Sequence, residues 1–192
     1  EIMRDYGLLT MVLPVAPRPS LLRRLVAIEQ SLALQPDVML RLAVLGVEVV
    51  ENAIKLRDQL RLSNAEFDTL VLAANAPREG VHPHTSEREA KVALYRYGPK
   101  LMRKQLLINW ARSGISPDDP HAGELYAFPD KWEPPKFPIS GADVLEAGVP
   151  PGPRVGEILD QLERRWIEAD FAWDRDRLLA ELANGVSDAG QA

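Results

Sequence analysis

Between positions 88 and 104 lie Arg88, Lys91, Arg96, Lys100, Arg103 and Lys104, opposed inside that stretch only by Glu89. Such a run can neutralise phosphates, and release of their counterions is the main source of non-specific nucleic-acid affinity. Positions 96, 100, 103 and 104 share one helical face, provided that the break at Gly98-Pro99 bends the axis only slightly. A solvated face with long stems lying along the surface is the plainer alternative.

A second candidate lies in the turn holding Gly148, Pro150, Pro151, Gly152 and Pro153. Glycine there permits positive φ and close backbone approach, and Pro153 suits the first position of a helix. The free amides of that helix start, together with Arg154, form a phosphate site, and Gly156 lets another backbone approach the first turn. An ordinary tight helical corner is the competing reading.

Catalytic chemistry finds less support. His82 and His84 flank a proline in a loop and His121 stands apart, so no three or four ligands converge on a metal. Nucleophile elbows and Walker loops are missing. Asp118 and Asp119 sit between turn prolines, and Asp174 and Asp176 suit a helix cap and first turn. The sequence therefore predicts neither a catalytic nor a metal site in this chain.

The elements that must position these groups read as helices throughout. Leu21, Leu22, Leu25, Ile28 and Leu32 recur at helical spacing, predicting a helix over 21–33 capped by Ser20. Pro36 opens another near Asp37, with Gly46 as its end or a tight crossing. Ser63 with Glu66, and Ser86 with Glu89, have the form of capping boxes opening helices over 64–74 and to about Tyr97. Residues 75–85 read as a loop, and 100–112 as a further helix. Downstream come a short helix over 140–146, the Gly152 turn, a helix to about Ala169 striped by Val155, Ile158, Leu159, Leu162 and Trp166, and a last helix capped by Asp174 and ended by Gly185. The fold class is all-α: an irregular multi-helix array with a helix-turn-helix-like tail. Its expected divisions are a helical region over 1–113, an irregular aromatic and proline-rich connector over 114–139, a helical module over 140–185 and a frayed end over 186–192.

Composition sets the outer bounds. The chain has 192 residues, of which 46% are hydrophobic, enough for a core. It has no cysteine, which fits a reducing cytoplasm. No stretch approaches the ~20 consecutive apolar residues of a membrane helix. The net charge of −5 restricts any nucleic-acid surface to a local patch. Residues 1–9 read as a helix already under way, as at an internal position of a longer chain.

Several phrases together carry a resemblance: FPISGADVLEAGVPPGPRVGEIL from Phe137, WIEADF from Trp166, LRLSNAE from Leu60, LYRYG from Leu94, and the opening EIMRDYGLL with VLP at Val12. In this order they resemble the C-terminal part of bacterial CCA-adding enzymes, tRNA nucleotidyltransferases of the poly(A) polymerase family, particularly the alphaproteobacterial version. The resemblance implies the end of the neck, the body and the tail of such an enzyme, whose work is to bind tRNA and place its 3′ end. Its partners would be tRNA and the parent's own N-terminal head and neck, and a homo-oligomer is allowed. The head's Gly-Ser motif and paired carboxylates have no match here. Magnesium, CTP and ATP are thus implied for the parent, with no cofactor in this segment. The resemblance carries over no individual contact; the residues themselves offer Gly152, Arg154 and Gly156, with Arg96, Lys100, Arg103 and Lys104, as the candidate nucleic-acid contacts, and the resemblance meets that reading at both places. A helical protein-interaction or oligomerisation module, with the Trp110, Trp132 and Trp166 regions packed on partners, is the alternative.

Overall fold

A computed structural model of the chain describes residues 12–189. Nine α-helices and one short 3-10 turn make up its regular structure, with no strand among the described residues. The helices are α1 (Pro19–Ser31), α2 (Val38–Gly46), α3 (Val50–Leu60), α4 (Asn64–Glu79), α5 (Glu87–Ser113), α6 (Pro120–Ala127), α7 (Gly141–Glu146), α8 (Pro153–Glu168) and α9 (Arg175–Ala189). They fall into two compact units, one through Glu133 and one from Pro134.

In the first unit, α1 and α4 pack on α5, and α2 and α3 pack on α4. Their apolar stripes converge on Leu25, Ile28, Leu40, Val44, Leu56 and Trp110, all buried. A neighbouring cluster joins Val81, Leu94, Met102, Leu106 and Leu125 beneath Tyr126, Phe128 and Trp132. Gly46 ends α2 and also marks a tight crossing. A Cβ there would stand 3.0 Å from Val15 and 3.3 Å from Leu56.

Both capping boxes form: the Ser63 amide donates to Glu66 Oε2 at 2.8 Å, and the Ser86 amide to Glu89 Oε2 at 2.8 Å. In the other direction the Glu66 and Glu89 amides meet the two hydroxyls at 3.4 Å. These reciprocal contacts satisfy amides that the first helical turn leaves without intrahelical partners.

Four expectations differ. α1 starts two residues earlier, with Pro19 at its first residue and Arg18 ahead of it, so Ser20 lies inside the helix and does not cap it. α4 runs through Pro77 to Glu79, into the stretch read as loop. Proline cannot donate to the carbonyl four residues back, here that of Ala73. Arg112 supplies the missing donor, its Nη1 lying 2.7 Å from Ala73 O. Within 114–139 the chain is not wholly irregular, because Asp119 caps α6 through the Ala122 amide at 2.9 Å and Pro120 takes its first position. Finally α9 continues past Gly185 to Ala189. Residues 190–192, like the helix expected over 1–9, lie outside the described residues.

The second unit closes on Trp166, whose indole Nε1 donates to Trp173 O at 2.9 Å. Phe137 and Phe171 pack on its ring at centroid distances of 5.3 and 5.0 Å. Val144, Leu162, Leu178 and Leu182 are buried in the same unit. Asp170 and Phe171 both take left-handed backbone, and the Phe171 amide bonds to Trp166 O at 3.0 Å, folding the chain back from α8.

Candidate nucleic-acid interface

Both candidate sites stand on helix starts built alike. Gly98 is the single non-helical residue inside α5, with φ 73° and ψ 170°, so a new helical segment begins at Pro99. Gly152 precedes α8 with φ 157°, and Pro153 is its first residue. In each case a glycine without a capping side chain is followed by proline and then by a cation, Lys100 or Arg154. The tripeptide Gly-Pro-Lys/Arg was visible in the sequence twice, and that repetition is the signal the sequence reading missed.

The break at Gly98 corrects the expected four-residue face. A residue with these torsions interrupts the helical count, so Arg96 does not follow Lys100, Arg103 and Lys104 by periodicity. Arg96 is exposed on the first segment, and the other three belong to the second.

Those three have different partners. Arg103 donates through Nε to Tyr126 O at 3.0 Å, pairs with Asp130 at 2.6 Å and lies over the Tyr126 ring. Lys104 donates to Thr69 Oγ1 at 3.1 Å and pairs with Asp37 at 3.3 Å. Burial works against the Asp37 carboxylate, but the Leu40 amide and Lys104 outweigh it and hold its pKa below the ordinary value. Lys100 is exposed and has no ion pair with a described carboxylate. It lines two clefts, each shared with Lys104: one beside Tyr126 and Leu40, the other beside Tyr97 and Leu101. Burial pushes the Tyr126 hydroxyl above its ordinary pKa, so it stays protonated.

At the second site Gly152, Arg154 and Gly156 are all exposed, and a Cβ on either glycine would meet nothing within 4 Å. Gly148 takes φ 92° where the chain leaves α7. Arg175, which the sequence reading passed over, ties α9 to α7 and to the segment before it. It donates to Asp143 on α7 and to Pro138 O at 3.0 Å. The Arg175 guanidinium first, then the Ser140 amide and hydroxyl, draw the Asp143 carboxyl down to about 2.

Charge separates the two sites. Residues 134–192 carry 11 acidic and 6 basic side chains, against 17 of each in residues 1–133. The whole excess of negative charge therefore belongs to the unit that carries Gly152. Lys100 stands on a unit of zero net charge, where a polyanion meets less repulsion.

Among the described residues no group of three His, Cys, Asp or Glu side chains is placed to hold a metal ion. No described helix is long and apolar enough to cross a membrane.

These features define an all-helical chain, and its sequence relatives are tRNA nucleotidyltransferases. The chain is 34% identical over 50 residues to the mitochondrial CCA tRNA nucleotidyltransferase 1 of Mus musculus and to that of Homo sapiens. It is 34% identical over 53 residues to that of Danio rerio. The matched segment is 26–28% of this chain, which spans about 12% of the length of these relatives. No protein-family model matches the chain.

Proposed function

We propose that this chain is the tRNA-binding and tRNA-positioning portion of a CCA-adding tRNA nucleotidyltransferase of bacterial type, comprising the late neck, body and tail and working in the cytoplasm. The observation that carries the reading is the partial similarity to CCA tRNA nucleotidyltransferases. The two Gly-Pro-cation helix starts support it, because the positive end of a helix dipole with a cation beside it is suited to backbone phosphates. Recognition would run through shape and phosphates rather than base edges, as is usual for helical RNA. Nucleotidyl transfer with magnesium, CTP and ATP would belong to the parent's head, whose motifs this chain lacks. No step of that chemistry is assigned to these residues.

A partner-binding module draws support from the exposed apolar side chains Val38, Val49, Val50 and Ile54 around α2 and α3. Two of its three aromatic contacts do not fit, since Trp110 and Trp166 are spent inside their own units at 0% and 1% exposure, while Trp132 is half-buried.

Gel-shift titration of the chain against tRNA at 50 and 200 mM salt tests the reading. If Arg96, Lys100 and Arg154 each meet one phosphate, affinity falls about 40-fold between those concentrations. The double variant Lys100→Ala with Arg154→Ala then binds more weakly and with a shallower salt dependence. Absence of any shift at low salt refutes the proposal.

A further inference from the structure

The cleft between the α1–α2 connection and the second segment of α5 has about 420 Å³ of space, within the range of small-ligand sites. Its wall is apolar where Leu34, Leu40 and Leu107 line it, and Tyr126 closes one side. Its charges cancel almost completely. Glu29, buried to 3% exposure, is held by Arg41 at 2.9 and 2.6 Å. Asp37 is paired with Lys104 and Arg103 with Asp130. Lys100 remains as the one lining cation that no described carboxylate offsets.

A single unbalanced positive charge beside an aromatic and aliphatic wall selects its ligand. A phosphodiester carries one negative charge and a terminal phosphate nearly two. The cleft suits the former, with an attached nucleoside large enough to cover the wall. An inorganic anion would leave Leu34 and the Tyr126 ring wet. A base has a π-face that stacks on tyrosine whatever its sequence. We infer that this cleft seats one unpaired nucleotide from within an RNA strand, its phosphodiester on Lys100 and its base or ribose against Tyr126 and Leu34. The inference rests on the tRNA-binding reading and names the part of the RNA that this site takes.

The probe is the dinucleoside monophosphate UpU, titrated into the whole chain and followed by amide chemical shifts, with uridine and inorganic phosphate as separate titrants. Saturable shifts at Leu34, Gln35, Leu40 and Tyr126 are expected with UpU and not with phosphate. One phosphate on a single strand predicts about a 2.6-fold weakening between 50 and 200 mM salt. Lys100→Ala weakens UpU binding about tenfold, as loss of one charged hydrogen bond would. Gln35→Glu, an exposed substitution at the rim that cancels the excess charge, weakens it similarly without touching the core. Equal shifts with inorganic phosphate, or none with UpU, overturn the inference. A tRNA gel shift that persists in that case leaves the tRNA-binding reading standing, whereas UpU binding without tRNA retention refutes that reading and spares the cleft.

Discussion

Replacing Trp166 with alanine removes the centre of the second unit. The indole is 1% exposed, lies between Phe137 and Phe171, and satisfies Trp173 O through Nε1. A buried tryptophan truncated to alanine costs about 3–5 kcal/mol, and the carbonyl left behind loses its donor. At 0.05–0.15 kcal/mol per residue, a unit of this size has roughly 3–9 kcal/mol of stability in all. The substitution thus removes most of what holds α7, α8 and α9 together. Hydrogen exchange read peptide by peptide should show their amides opening two to four orders of magnitude more often, since each 1.4 kcal/mol is a factor of ten. Trp166→Phe keeps one aromatic ring and loses the hydrogen bond along with the smaller half of the indole, so its effect should be smaller. Wild-type protection of α8 in Trp166→Ala would refute the claim that this aromatic cluster is the unit's keystone.

Two further outcomes follow from local geometry. Asp143 has a folded pKa of about 2, below the roughly 3.9 of an unfolded aspartate. A depressed carboxyl stabilises the fold above the unfolded value, and that contribution is lost as pH falls from about 4 to about 2. Urea melts of Asp143→Asn and wild type should differ most above pH 4 and converge toward pH 2; a gap independent of pH would contradict the ion-pair assignment. Gly98→Ala forces a side chain into torsions tolerated almost only by glycine, at a cost of about 1–3 kcal/mol, although a Cβ there meets no neighbour. An unchanged thermal midpoint would show that the kink relaxes freely.

What could be read from the sequence follows the range of the interactions. Ser63 with Glu66, Ser86 with Glu89, and Asp174 with the Arg177 amide act over three residues, and each marked its helix start in the sequence. The continuation of α4 through Pro77 was not legible, because its remedy comes from Arg112, 39 residues from Ala73. Likewise the basic stretch announced charge but not availability. Arg103 and Lys104 are occupied by Tyr126, Asp130, Thr69 and Asp37, all from distant segments, and this singles out Lys100. At the other site, Gly152 and Pro153 signalled the helix start, while the Asp143–Arg175 brace joins groups 32 residues apart.

The segment starting at Pro99 has its own macrodipole, and Lys100 is its second residue. A cation belongs energetically at the opposite end of a helix; at this end it is unfavourable by about 0.3–1 kcal/mol. Arg154 stands in the same disfavoured position on α8. Both helix starts therefore hold electrostatic repulsion in the free protein, which an arriving phosphate would relieve through the lysine or arginine charge. Binding at either place would therefore stabilise the helix that makes it, linking occupancy to the order of the first turn.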